Sequence, residues 1–437
     1  MRISRLTTEP KNPTSRRKAT KEARAFARHA RLKAQSKITA FWGLAFKALA
    51  VGVAASLAVT GISLLQIKSQ LANNGIHIVD SQGNAQVGVT AADLKGPINM
   101  LLVGSDTRTG QGGGFGHVSS TLADVIILLH VSADRKNAVA MSFPRDLLVP
   151  WPACPSTTGG PGYLPQSLGQ INATIANGGP GCTLLTVQLL TGVKIPYLAM
   201  IDFKGVIEMS NAIGGVEVCV ASPINDTYTK TYLSAGTHTL QGRSALQFLR
   251  TRHGVGDGSD LSRISNQQVF MTSLFRKIKS QGVLTNPLLL LNMANAAARN
   301  MKMSDSLNDP SVLVALAGAL KNVDLAKMTF LQIPSRGGLP APYSGRVEPI
   351  YESANLIFSK LVNDEPIIIE KANTGSGATV VETPTTTPTT TPTSKPTVKP
   401  QPKPSSSTSA TAKPTVTATP LPSDIRGTNG ATTTCSN

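Results

Sequence analysis

Asp106, Asp124 and Arg145 are the residues with the types and spacing to handle a phosphate. Two carboxylates can hold a hard divalent cation, and an arginine can grip the phosphate that the cation bridges. A second set lies downstream. Arg250 and Arg252 are two apart, so on extended backbone they face one side. Arg263 and Gln267 are four apart, so on a helix they share a face. Three arginines within 14 residues, among glycines 254, 256 and 258, suit an anion, and a helix N-terminus adds its own attraction. The competing reading of these residues is plain: strand-end aspartates, loop glycines and solvated helix charges.

Convergence requires elements that bring these residues together. Residues 100–105 read as a buried strand that ends in the polar run Asp106-Thr-Arg108. A loop with glycines at 110, 112, 113, 114 and 116 follows. Residues 124–130 read as a second strand and 138–143 as a third, stopped by Pro144, which cannot donate to a ladder. If the three form a meander, the end of the first, the start of the second and the end of the third share one edge. Further on, strands (197–203, 216–220, 328–333) alternate with helices (182–190, 205–213, 240–249, 351–361). The fold class expected is α/β, a central mixed sheet flanked by helices. One helix should start at 261 or 262, with Ser259 or Asp260 as its cap, and run to 280. Residues 286–300 and 311–320 read as apolar helices that pack a core or wall a lipid groove.

The formal charge of +18 invites a nucleic-acid partner, but its distribution argues against one: residues 1–37 carry +10 and the other 400 carry +8. Residues 38–65 are apolar with Lys47 as the sole charge, and 48–65 are 18 uncharged residues, about 27 Å of helix. That length, with tilt or its apolar flank, spans a bilayer core, and the basic flank places the N-terminus in the cytoplasm. A cleaved signal peptide is the rival, with an unusually long basic region. The organisation expected is a basic cytoplasmic tail (1–37), a transmembrane helix (38–65), a stalk (66–96), an extracytoplasmic domain (97–370) and a disordered Thr/Pro/Ser-rich tail (371–437). Membrane lipids are then partners of both the helix and the tail. None of Cys154, Cys182, Cys219 and Cys435 sits in a CxxC pair, so zinc is not expected. A Cys154–Cys182 disulfide would staple a Pro/Gly-rich excursion. Cys219 sits mid-strand, as a small buried residue or with a partner the sequence does not identify.

The ordered series Leu102-Val-Gly-Ser-Asp106, the strand opening at Asp124, Ser142-Phe-Pro-Arg-Asp146, Ile213-Gly-Gly-Val216, Ala245-Leu-Gln-Phe-Leu-Arg-Thr-Arg-His253 and Asp260-Leu-Ser-Arg263 with Gln267-Gln268 resembles the LytR-CpsA-Psr family, of the actinobacterial type. The resemblance covers roughly residues 98–281, about two-fifths of the chain. It implies an α-β-α sandwich with a groove for a polyprenyl-pyrophosphate lipid. It implies transfer of the lipid-linked glycan phosphate, arabinogalactan in an actinobacterium, onto peptidoglycan. By motif, Asp106 and Asp124 would hold Mg²⁺, with Mn²⁺ as the alternative. Arg145, Arg250, Arg252, Arg263 and Gln267 would contact the pyrophosphate. The family commonly has Arg-Ser-Asp-Thr at the second aspartate, where this chain has Leu122-Ala-Asp-Val125; Arg108 is the candidate to replace the missing arginine. Asp106, Asp124 or Asp146 would serve as the base. Two rival readings use the same active site, a polyprenyl-pyrophosphate hydrolase and a protein-glycosylating enzyme; a third, of another class, is a non-catalytic membrane regulator that senses polyprenyl lipids through its basic cytoplasmic tail.

Overall fold

The computed structural model describes residues 37–73, 75–79, 94–107, 121–156, 160–280, 283, 286–307, 309–369, 371–381, 421–422 and 425–437. Arg108, the glycines at 110–116 and the basic segment before residue 37 lie outside them. The chain opens with α1 (Lys37–Asn73), β1 (Gly75–Ile76), β2 (Ile98–Ser105), β3 (Ala123–Val131), β4 (Ala138–Phe143), β5 (Leu148–Trp151) and β6 (Gln166–Gln170). Next come α2 (Thr174–Thr191), β7 (Tyr197–Ile201), α3 (Phe203–Ala212), β8 (Val216–Val220), β9 (Ile224–Asp226), β10 (Thr231–Leu233), β11 (Gly236–Leu240), α4 (Arg243–Arg250) and α5 (Asp260–Ser280). The chain closes with α6 (Pro287–Asn300), β12 (Met301–Ser304), α7 (Pro310–Asn322), β13 (Met328–Gln332), β14 (Ser335–Arg336), β15 (Glu348–Pro349), α8 (Tyr351–Val362), β16 (Ala378–Val380), β17 (Gly427–Asn429) and β18 (Thr434–Ser436).

Eight strands form the central mixed sheet, in the order β1-β12-β7-β2-β3-β4-β13-β17. The expected meander β2-β3-β4 is its middle, antiparallel throughout. Parallel strands flank it, β7 beside β2 and β13 beside β4. Side chains of one strand point alternately to two faces. On β2, Leu101 and Val103 enter one core with Leu184 and Val187 of α2 and Ile357 and Leu361 of α8. Ile98 enters the other, with Ala298 of α6 and Val312 and Leu316 of α7. This is the α-β-α sandwich, and each fully buried Leu or Ile in it contributes about 1.5–3 kcal/mol. A second sheet, β11-β8-β18-β16, covers a third core shared with α4 and α5. The helix expected at 182–190 is the second half of α2, which is kinked where Gly178 and Gly179 leave helical geometry.

Three boundaries differ from expectation. First, α1 continues past residue 65. Ile67 and Leu71, one helical turn apart, are buried in the core, and β1 pairs with β12, so residues 66–73 and 75–76 are packed on the domain rather than forming a free stalk. Second, several side chains of α1 lie outside the description, and among the described residues no helix is long and apolar enough to cross a membrane. Third, the tail is not uniform. β16, β17 and β18 sit in the two sheets, and Cys435 of β18 bonds Cys219 of β8 in a disulfide. The Cys154–Cys182 disulfide is present as expected. Residues 382–420 lie outside the description.

Candidate active site

The sheet topology gathers the site along one edge. The carboxyl ends of β7, β2, β4 and β13 and the amino ends of β3 and β17 all fall there. Asp106 follows β2; its N–H donates to the Leu122 carbonyl at 3.1 Å, and its Oδ1 accepts from Leu122 N at 2.7 Å. The β2–β3 register shifts here, with Gly104 opposite Val125 and Ser105 opposite Ala123. Asp124 is thus the extra residue of a bulge, a feature that re-aims side chains at sheet edges. Both predicted aspartates therefore stand side by side at the mouth of adjacent strands.

Arg145, just past Pro144, donates from Nη1 to Asp124 Oδ1 at 2.8 Å. Its Nε lies 3.5 Å from Asp146 Oδ2 and 3.4 Å from Asp260 Oδ1. Asp260 opens α5, and Ser259 caps that helix by accepting from Ser262 N. Arg263, one turn along, reaches Asp260 Oδ1 at 2.6 Å and donates to the Asp124 carbonyl at 3.2 Å. Arg346 closes on Asp146 at 2.9 Å, and Gln170 also donates to that carboxylate. Burial works against the Arg145 charge, but Asp124, Asp260 and Asp146 outweigh it and hold its pKa up. Burial pushes the Asp260 carboxyl up, against the pull of Arg263 and Arg145, and pushes Arg263 down, against Asp260. The charges balance, but the hydrogen bonds do not. Arg145 Nε, Arg263 Nε and both Asp260 oxygens are buried with no aligned hydrogen-bond partner. Buried polar atoms left this way mark a strained or functional place.

The second predicted set flanks the first. The Arg250 guanidinium lies 4.4 Å from the centroid of the Phe203 ring, and Phe203 follows β7, the strand beside β2. Stacking of this kind fixes the plane of an arginine guanidinium. Arg252 Nε donates to Gly258 O at 2.8 Å, and Gln267 Nε2 donates to Leu249 O at 3.0 Å, securing the end of α4. The structure thus brings Asp124, Arg145 and Arg263 into one cluster beside Asp106. It sets Arg250 and Arg252 on the adjoining loop and gives Gln267 a positioning contact. Arg108 lies outside the described residues.

Sequence reasoning missed Asp226 and Arg346 and took Asp260 only for a helix cap. Asp226 is 1% exposed. Its Oδ2 accepts from Thr251 Oγ1 at 2.8 Å and from Arg252 N at 3.1 Å. Its Oδ1 accepts from Tyr228 N at 2.9 Å and Thr229 N at 3.2 Å. One buried carboxylate therefore ties the arginine loop to the β9–β10 hairpin. The available signal was an aspartate after Ile224-Asn225 and before Thr and Lys, which reads equally as a turn. Among the described residues no group of three or more His, Cys, Asp or Glu could hold a metal. The pair Asp106 and Asp124 fits Mg²⁺ all the same, since that ion takes one or two carboxylates and fills its other positions from phosphate and water.

The fold is an α-β-α sandwich with two aspartates and a group of arginines gathered at one sheet edge. Residues 64–349 match the LytR_cpsA_psr family, and the chain belongs to it. The match is wider than the motif series alone. The chain is 28% identical over 279 residues to the cell wall biosynthesis protein LcpA of Corynebacterium glutamicum, covering 58% of this chain and 51% of that protein. It is 29% identical over 241 residues to the polyisoprenyl-teichoic acid–peptidoglycan teichoic acid transferase TagT of Bacillus subtilis, covering 54% of this chain and 68% of TagT. The match thus spans about half the length of LcpA. Among solved structures, protein gbs0355 from Streptococcus agalactiae shares the fold, with a TM-score of 0.51, 21% identity, and 65% of this chain and 94% of that one covered.

Proposed function

We propose that the protein is a membrane-anchored transferase that moves a polyprenyl-pyrophosphate-linked glycopolymer, arabinogalactan, onto peptidoglycan. The observation that carries the reading is the partly buried arginine–aspartate cluster of Arg145, Arg263, Asp124 and Asp260, with unmatched N–H groups, at the sheet edge where Asp106 also stands. Relatives that bear the names of cell-wall biosynthesis and teichoic acid transfer support it. Asp106 and Asp124 would hold Mg²⁺ or Mn²⁺, which would supply charge neutralisation at the pyrophosphate. Arg145, Arg250, Arg252 and Arg263 would grip its oxygens. A hydroxyl oxygen of the acceptor bonds to the glycan-side phosphorus, the anhydride P–O bond breaks, and polyprenyl phosphate leaves. The hydroxyl proton passes to a carboxylate. Asp146 is paired with Arg346 and Gln170, and Asp260 with Arg263 and Arg145, so each is held in place by its partners.

The uncharged run 48–65 behind twelve basic residues supports anchoring. Phe41, Trp42, Phe46, Leu49, Val51, Val53 and Ile62 are exposed on α1, as a lipid-facing helix requires. With the N-terminus cytoplasmic, the domain that follows the anchor would be extracytoplasmic. The test uses the full chain in detergent with a synthetic polyprenyl-pyrophosphoryl saccharide and peptidoglycan fragments. It is run with Mg²⁺ or chelator, and beside Asp124→Ala. Glycan on the fragments that needs both metal and Asp124 supports the transferase. Glycan phosphate released only to water makes it a hydrolase, and lipid binding without turnover makes it a sensor.

A further inference from the structure

On the far flank of the same edge, the chain builds a recess that the proposed chemistry does not use. β13 runs parallel to β4 with Gln332 beside Ser142, and Ile333 N donates to the Ser142 carbonyl at 3.0 Å. β17 runs antiparallel beyond it with Gly427 opposite Leu331, and Gln332 N donates to the Arg426 carbonyl at 2.9 Å. Gln332 and Arg426 therefore extend the row begun by Asp106, Asp124 and Arg145. At the ordinary strand spacing, Arg426 starts about 10 Å from β4. Arg250 on the β7 side and Arg426 on the β17 side bracket the cluster.

The recess is small and is walled by Gln332, Ile333, Pro334, Ser335 and Arg426, with no carboxylate among them. Its polar groups are uncommitted. Gln332 is 3% exposed, and its side chain makes no hydrogen bond among the described residues. Ser335 Oγ is buried without a partner. Arg426 is half-buried, and its guanidinium has no ion pair or hydrogen bond among the described residues. That guanidinium passes close to α5: a Cβ added at Gly375 would meet both Arg426 Nη1 at 3.3 Å and Ser265 Oγ at 3.4 Å. A partly desolvated cation with no counter-charge among the described residues is costly, and so is a buried hydroxyl without a partner, here Ser335 Oγ. Both costs are relieved by one ligand type, an oxygen anion, because arginine, glutamine and serine all donate. Arg426 lies beyond the 64–349 family match, on a segment pinned by β17 and by the Cys219–Cys435 disulfide.

We propose that Gln332, Ser335 and Arg426 form an anion subsite. It takes a carboxylate or a phosphate of a molecule lying along the edge, in addition to the pyrophosphate at Arg145. The assignment of that molecule rests on the transferase reading. A carboxylate would come from the peptide of a peptidoglycan acceptor, and a phosphate from the donor.

The experiment titrates the full chain in detergent with three probes: a muramyl peptide with free carboxylates, the same peptide amidated, and a short-chain polyprenyl pyrophosphate. Wild type is compared with Arg426→Gln, Arg426→Lys and Ser335→Ala. Roughly tenfold weaker binding of an anionic probe in Arg426→Gln is expected, with partial retention in Arg426→Lys and a smaller loss in Ser335→Ala. Loss confined to the free-acid peptide assigns the subsite to the acceptor. Loss confined to the polyprenyl pyrophosphate assigns it to the donor. Equal affinities of all three probes across wild type and Ser335→Ala, which removes only a hydroxyl, overturn the subsite, as do equal affinities in a folded Arg426→Gln. Arg426-dependent binding in a chain that transfers nothing would refute the transferase and leave the subsite standing.

Discussion

Asp226→Asn tests whether a buried carboxylate, remote from any phosphate contact, holds the arginine loop in place. The wild-type carboxylate accepts four hydrogen bonds, from Thr251 Oγ1 and the N–H groups of Arg252, Tyr228 and Thr229. Burial alone would raise its pKa, but the bonds from Thr251, Arg252 and Thr229 outweigh it and bring the value from 3.8 to about 2. A shift of nearly two units is worth about 2.4 kcal/mol of stability at neutral pH. Its sign is that of a depressed carboxylate: present above the unfolded value near 3.8, half lost by about pH 3, and gone below about pH 2. An asparagine lacks this titration. It also turns an N–H₂ toward the Arg252 N–H, adding the cost of an unpaired buried donor. The expected loss is about 3 kcal/mol at pH 7 and about 2 kcal/mol at pH 3, read by urea unfolding of both proteins across that range. Transfer activity should fall at temperatures where the variant stays folded, because Arg252 loses its backbone anchor. A loss that is constant with pH, or smaller than about 1 kcal/mol, would refute the argument that the charge of Asp226 secures the loop.

Arg145→Lys keeps the positive charge and removes the fork that reaches Asp124 while approaching Asp146 and Asp260. Single-turnover transfer should slow by about 10²–10³, and a rate within about threefold of wild type would show that Arg145 supplies only net charge. The two disulfides should differ in weight. The chain-entropy account gives about 5 kcal/mol for Cys219–Cys435, with its sequence separation of 216, and about 3.5 kcal/mol for Cys154–Cys182, with its separation of 28. Serine pairs should lower the urea midpoint in that order, and the reverse order would locate the effect in native packing.

How far the sequence could be read depended on whether each signal was local. The meander was legible because Leu101, Val103, Ile126 and Leu128 make apolar runs that end at polar residues and a proline, and the edge geometry follows from antiparallel pairing alone. Asp124, Arg145 and Arg263 could be gathered because each stands at the end of a recognisable strand or helix. Asp226, Arg346 and Arg426 could not, because each acts through partners between 25 and 200 positions away or, for Arg426, across a strand pairing that no pattern announces.

The C-terminus shows the limit most clearly. Residues 427–436 follow a long Thr/Pro/Ser-rich run, share its threonines, and form strands of three residues each, too short for an alternating pattern to show. What makes them strands is the surface they land on. Cys435 meets Cys219 on β8, and Ser436 Oγ donates to Asn266 on α5, whose own amide donates to Phe248 O on α4. That path runs from the end of the chain to the two helices that carry Arg250 and Arg263. The segment that looks most dispensable in the sequence is therefore built into the frame that sets the arginines. A rigid frame is what a site needs when its rate depends on charges placed before the substrate arrives.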